Sequence, residues 1–183
     1  MKFIFISDIH GSAHWLKQAL QRAKEEQADE IILLGDYLYH GPRNPLPDEY
    51  DPQQVTDLLN DLSNRIVAVR GNCDSEVDQM LLQFPMMTDY TMLYVEGRRI
   101  FVTHGHVYDM EQLPALRQGD VFIQGHTHIP VAEQREGVYV INPGSIALPK
   151  GGFANSYGVL DNNHFYIKDF DGNVIKEIEF LNE

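Results

Sequence analysis

A single cysteine, Cys73, stands among 183 residues, so no internal disulfide can staple the chain and its stability must come from a packed core. Basic side chains are scarce: 14 Lys and Arg face 27 Asp and Glu, a net charge of −13. No basic stripe is available to follow a nucleic-acid backbone or an anionic lipid surface by counterion release, so long nucleic acid is not expected as a partner. Long apolar runs are missing too. Met1-Lys2 and the four apolar residues that follow look superficially like a secretory leader, but Asp8 and His10 cut the run short and no later stretch could span a bilayer. The expected protein is soluble and cytoplasmic, with no membrane partner. Internal repeats, low-complexity tracts and linkers are also lacking, and residues 1–183 read as a single domain.

What the chain does have is core-forming material, 43% apolar and 10% aromatic residues, enough for one ordinary domain. Lys2 to Ile6 is nearly continuous in apolar residues, the pattern of a strand buried on both faces. From Ser12 to Ala28, Trp15, Leu16, Ala19, Leu20 and Ala23 fall on one helical stripe. Glu30 to Leu34 is a second strand. A proline-rich loop from His40 to Pro52 then leads into a helix with Asp51 as N-cap, Pro52 at its first position and Gln54 completing a capping box; Val55, Leu58, Leu59 and Leu62 face inward. Further strands are expected at Ile66–Val69, Ile100–Val102 and Val121–Ile123. After about Pro130 the helical pattern stops. Val138–Ile141 and Tyr157–Leu160 alternate, with turn signals at Glu136-Gly137, Asp161-Asn162-Asn163 and Asp171-Gly172, so the second half reads as antiparallel sheet. Met86, Met87, Tyr90, Met92, Leu93 and Tyr94 read as core or subunit contact.

The ends of five apolar runs carry the chemistry. Just past them stand Asp8-x-His10, Gly35-Asp36, Gly71-Asn72-Cys73-Asp74, His104-Gly105-His106 and Gly125-His126-Thr127-His128. Ligands of open α/β sheets bind beyond the carboxyl ends of the strands, so these clusters are expected to converge. Carboxylate, imidazole and carboxamide donors without thiolate suit Mn²⁺, Fe²⁺, Co²⁺, Ni²⁺ or Zn²⁺. Asp8, His10, Asp36, Asn72, His104, His126 and His128 are too many ligands for one ion. Two ions sharing a carboxylate is the economical arrangement, and such a pair is a usual device for displacement at phosphorus.

In this order the five motifs resemble the calcineurin-like metallophosphoesterase superfamily, over residues 1 to about 160. "GDYLYHGPRN", "GNCDSEVDQMLL", "GHTHIPVAEQ" and "NPGSIALPKGG" resemble its YfcE-type group of bacterial phosphodiesterases. The resemblance implies an α/β fold, a four-layer α/β/β/α sandwich of two mixed sheets. It implies two divalent ions per chain, Mn²⁺ foremost, a small phosphodiester substrate, and a homodimer or homotetramer. It also implies that Asp8, His10 and His128 hold one ion and Asn72, His104 and His126 the other, with Asp36 bridging. The expected reaction is attack on the ester by a hydroxide shared between the ions. A phosphomonoesterase of the same fold is one alternative. A non-catalytic scaffold is another, and the complete set of seven donors disfavours it.

Around this set, His40 and Arg43 follow Asp36 closely and are expected to reach the substrate phosphate. Cys73 occupies a position where many members of the superfamily place a histidine suited to protonating the departing oxygen; a thiol there is either a weak donor or a small buried group. Asp74 is expected to orient an imidazole, or else to cap the helix of "SEVDQMLL". His106 is expected to hydrogen-bond a ligand residue rather than touch substrate. His14 and His164 read as solvated, and the tail strands as scaffold.

Overall fold

The computed structural model describes residues 1–181. Strands β1 (Lys2–Ile6), β2 (Glu30–Leu33) and β3 (Ile66–Ala68) lie side by side in parallel. Parallel neighbours need crossovers, and these are supplied by α1 (Ala13–Glu25) and α2 (Pro52–Asn60). Each helix starts where a side-chain oxygen replaces a missing backbone acceptor. The Ser12 hydroxyl accepts from the Trp15 N–H at 3.2 Å and the Asp51 carboxylate from the Gln54 N–H at 3.0 Å. The capping box expected at Asp51 is only half made, since among the described residues no bond returns from the Gln54 side chain. A complete box opens α3 (Glu76–Leu81) instead, where Asp78 accepts from the Ser75 N–H at 2.7 Å.

The next segment departs from the sequence reading. Tyr90–Val95 is a strand, β4, paired antiparallel with β5 (Arg98–Thr103). Glu96 (φ 50°) and Gly97 (φ 78°) join them, both in the left-handed region that tight hairpins require. β6 (Val121–Ile123), β7 (Val131–Arg135) and β8 (Val138–Asn142) complete a sheet of order β4-β5-β6-β8-β7. The strands after Pro130 pair antiparallel with one another, as expected, but β8 is also parallel to β6, so the sheet is mixed. All five residues of β8 are buried, as befits a strand covered on both faces. The chain then returns to the first sheet through β9 (Ser156–Asp161), β10 (His164–Asp169) and β11 (Val174–Glu179), giving the order β11-β10-β9-β1-β2-β3.

Two mixed sheets therefore face each other, and period-two alternation decides what lies between them. Phe3, Phe5 and Ile32 point at Ile100, Val102, Val121 and Ile123 of the second sheet. Their neighbours Ile4, Ile6, Ile31 and Leu33 point the other way, onto Leu16, Ala19, Val55 and Leu59 of the helices. Each Val, Leu, Ile or Phe side chain so buried contributes about 1.5–3 kcal/mol relative to an exposed one. On the outer face of the five-stranded sheet Phe101, Phe122, Val138 and Val140 are covered by Tyr108, Met110, Leu113 and Leu116. The segment carrying those four residues, between β5 and β6, forms no helix. No helix among the described residues is long and apolar enough to cross a membrane.

Candidate metal centre

The loops that leave β1, β2, β3, β5 and β6 at their carboxyl ends meet at one place, as the parallel strand directions require. To turn back into a common crevice within a few residues the backbone adopts left-handed conformations at Asp8 (φ 56°), His10 (49°), Asp36 (58°), His126 (64°) and His128 (61°). Each costs a non-glycine residue about 1–3 kcal/mol and persists only where the surroundings enforce it. The enforcement is visible: the Asp8 N–H donates to Gly35 O at 3.2 Å and the His10 N–H to Asp36 O at 2.9 Å, lacing the first loop to the second. The second and third loops touch because both carry glycine. A Cβ on Gly71 would lie 2.1 Å from Asp36 Oδ1, and one on Gly35 would lie 2.6 Å from Gly71 N.

The donor atoms fall into two groups. His128 Nε2 lies 3.2 Å from Asp8 Oδ1 and 3.4 Å from His10 Nε2. His104 Nε2 lies 3.1 Å from Asn72 Oδ1 and 3.2 Å from His126 Nδ1. Asp36 stands between them, its Oδ2 3.6 Å from His10 Nε2 and 3.5 Å from His104 Nε2. Backbone carbonyls assign the tautomers of three rings. His10 Nδ1 donates to Tyr39 O at 2.9 Å, His104 Nδ1 to Leu34 O at 2.6 Å, and His128 Nδ1 to Leu148 O at 2.5 Å. A carbonyl can only accept, so each neutral ring turns a bare Nε2 lone pair inward. Lone pairs thus meet lone pairs and carboxylate oxygens across gaps of 3 to 4 Å, an arrangement that a cation would satisfy. Asp8 Oδ1, fully buried, has no hydrogen-bond partner. The donor set fits divalent ions by its chemistry, with carboxylate, imidazole and amide donors and no tetrahedral thiolate cage.

Electrostatics follow the same division. Burial alone would raise the Asp8 carboxyl, but the attraction of His128, then of His104 and His10, holds it well below the usual carboxylate range. Burial would likewise lower His128, and Asp8 outweighs it, so the ring rises above its ordinary 6.5. His126 goes the other way, lowered by burial and by His104.

Asp74 does neither of the things expected of it. It touches no imidazole, and Ser75 caps the helix. Its Oδ2 accepts from the Asp36 N–H at 2.8 Å and the Gly71 N–H at 2.7 Å, and its Oδ1 from the Tyr37 N–H at 2.9 Å. It is a buried clamp between the loops after β2 and β3, with its carboxyl pushed up to about 7 by burial and by the charge of Asp36. His106 also differs from expectation. It makes no hydrogen bond to a donor residue; its ring packs edge-on against His104, 5.3 Å between centroids, with Nδ1 buried and unpartnered. Burial, then the neighbouring His104, lowers its pKa to about 4. His14 packs edge-on against Trp15, and His164 stacks on Tyr166 and pairs with Glu177 at 3.1 Å, both away from the centre.

A cleft of about 450 Å³ opens over the donors. Arg43 and Cys73 line it; His40 does not, and sits edge-on between the rings of Tyr39 and Tyr50. The Cys73 N–H donates to Asp36 Oδ1 at 2.9 Å. Its thiol is pushed up to about 12 by burial and then by the charge of Asp36, which makes it a very weak acid. Sequence reasoning missed the contribution of "NPGSIALPKGG". Ser145 Oγ donates to Asp8 O at 3.0 Å and accepts from the Leu148 N–H at 2.9 Å, while Asn142 Nδ2 donates to Gly125 O at 2.7 Å. Lys150, Asn44 and Thr127 line the cleft as well. The available signal was the turn chemistry of Asn142-Pro143-Gly144-Ser145, whose short polar side chains bond to nearby backbone.

Comparison with known proteins agrees with this geometry. Residues 1–164 match the model of the calcineurin-like phosphoesterase superfamily domain. The chain is 51% identical over 163 residues to phosphodiesterase YfcE of Escherichia coli strain K12, covering 89% of each protein. It is 30% identical to the probable metallophosphoesterase YsnB of Bacillus subtilis strain 168, covering 98% of this chain and 97% of that one. The solved structure of the E. coli phosphoesterase YfcE superimposes with a TM-score of 0.97 at 47% identity, covering 99% of this chain and all of that one. With the donor set complete and the match spanning nearly the whole length, the chain belongs to the calcineurin-like phosphoesterase superfamily.

Proposed function

We propose that this protein is a metal-dependent phosphodiesterase acting on small phosphodiesters. The observation that carries the proposal is Asp36 Oδ2, a single carboxylate oxygen facing His10 Nε2 at 3.6 Å and His104 Nε2 at 3.5 Å. The phosphodiesterase named among its relatives, 51% identical, supports the reaction class. Asp8, His10 and His128 would hold one ion, Asn72, His104 and His126 a second, and Asp36 both. Bound there, divalent ions, with Mn²⁺ preferred over Fe²⁺, Co²⁺, Ni²⁺ or Zn²⁺, supply Lewis acidity and a water acidified to a pKa of about 7.

The chain's own residues do the rest. The carbonyls of Tyr39, Leu34 and Leu148 hold three imidazoles with Nε2 inward, so the donors need little rearrangement. Asn72, open to the cleft, offers an amide donor to a non-bridging phosphoryl oxygen. Arg43, rather than His40, reaches the phosphate from the rim and offsets charge as it builds at phosphorus. Cys73 is too weak an acid to protonate the departing oxygen efficiently, so the leaving group must carry its own negative charge.

The experiment is metal analysis of protein purified without chelator, with turnover of bis(p-nitrophenyl) phosphate and p-nitrophenyl phosphate. Bound metal, faster diester hydrolysis, loss of activity in EDTA and better rescue by Mn²⁺ than by Mg²⁺ are expected, since Mg²⁺ prefers oxygen and water to imidazole. A faster monoester would make the protein a phosphomonoesterase. Absence of both metal and turnover would leave only a scaffold.

A further inference from the structure

Two cations line the cleft without an ion-pair partner. Arg43 and Lys150 both line it, and neither enters an ion pair among the described residues, in a chain with 27 acidic side chains for 14 basic ones. Each rides on a loop bonded to a histidine of the first donor group. His10 holds Tyr39 O, four residues before Arg43. His128 holds Leu148 O at 2.5 Å, and the Lys150 N–H donates back to His128 O at 3.2 Å. Pro149 before Lys150 fixes one backbone angle of this loop.

The rest of the cleft is informative for what it omits. Apart from imidazoles no aromatic ring lines it, and no branched aliphatic side chain does. Nothing there stacks a nucleobase or packs an acyl chain, so the arms of the substrate are recognised by charge and hydrogen bonds. A diester phosphate carries one negative charge. Arg43 and the ions held by the donor groups already answer it, and Lys150 is left over.

We infer that Lys150 binds a second anionic group of the substrate, separate from the phosphoryl under attack, so that the substrate class is a small phosphodiester with a further phosphate on one arm. The inference rests on the phosphodiesterase reading above and gives it a substrate class. No bond is made or broken at Lys150; it is a specificity residue.

The test uses the Mn²⁺-loaded protein and two diesters with the same leaving group, p-nitrophenyl propyl phosphate and p-nitrophenyl 3-phosphonopropyl phosphate. Wild type should prefer the phosphonopropyl ester by about tenfold in kcat/KM, and Lys150→Met should lose that preference through KM while Lys150→Arg keeps most of it. Calorimetry with unreactive ligands supplies a readout independent of turnover. Lys150→Met should weaken 1,3-propanediphosphonate by about tenfold and propylphosphonate by less than about twofold. Equal losses on both ligands, or a preference unchanged in Lys150→Met, would overturn the inference. Should the loaded wild type turn over neither diester, the phosphodiesterase reading fails, and the calorimetric pair alone decides on Lys150.

Discussion

Asp8, His10 and His128 are at most 3% exposed, whereas Asn72 is open to solvent and His126 only half-buried. The first group is also the better braced. Both of its histidines are held by backbone carbonyls, and Ser145 supports the Asp8 backbone. In the second group only His104 has such a bond, to Leu34 O. Two donor groups with similar chemistry thus differ in preorganisation. On the proposed two-ion reading, an ion entering the first would find its ligands in place, and one entering the second would have to order Asn72 and His126 as it binds. The first group is expected to hold its ion more tightly.

The change that would erase the comparison is the largest. Asp36→Asn replaces the carboxylate facing both groups with a neutral amide and should lower kcat/KM on bis(p-nitrophenyl) phosphate by about 10²-fold or more. Two retained ions with near wild-type turnover would reject a role for Asp36 in both groups. A finer cut separates them. Calorimetric titration of the metal-free protein with Mn²⁺ should show two steps, and Asn72→Ala should remove or weaken the weaker one by about 10- to 100-fold while sparing the tighter. The inequality is refuted if Asn72→Ala spoils the tight step and His128→Ala the weak one.

Cys73→His tests the leaving-group side of the cleft. Because the thiol is a weak acid, rates should fall steeply along a series of diesters with rising leaving-group pKa, and the histidine variant should gain about tenfold on alkyl leaving groups and little on p-nitrophenolate. Parallel slopes at equal metal content would falsify a proton-donor position at residue 73. The smallest effect is a difference in titration. In the metal-free protein, NMR should find His128 titrating above the ordinary 6.5 and His126 below it. A raised His128 contributes stability that is complete below 6.5 and is lost as pH climbs through its folded value. A lowered His126 acts oppositely, and its contribution is lost as pH falls below 6.5. Finding the two rings in the reverse order would remove the electrostatic contrast between the groups.

How much of this was legible depends on whether the signal was local. Phe3 and Ile4 announce a strand by belonging to an unbroken apolar run, and Leu16 and Ala19 a helix by their spacing. Asp8-x-His10 and Gly125-His126-Thr127-His128 stand out because polar donors directly follow such runs. β4 escaped notice because Thr91 is its only clearly polar residue, so "YTMLYV" does not alternate. The Glu96-Gly97 turn behind it was the missed cue. β8 was recognised as a strand but not as the parallel neighbour of β6, since an apolar run does not name its partner. Asp74 was misread for a related reason: a buried carboxylate looks the same in sequence whether it serves an imidazole or three backbone N–H groups.

By itself the sequence determined the periodicities, the helix cap at Asp51, and the types and order of the donor residues, because these depend on neighbours a few positions away. Tertiary structure decided which ring nitrogen each histidine turns inward, that Asp36 faces both groups, that Ser145 supports Asp8 from 137 residues away, and that Lys150 comes to the cleft. The physical reason is that these arrangements are set by hydrogen bonds between strand-end loops. Sheet order and strand direction bring those loops together, and both are fixed only when the two sheets bury their shared core.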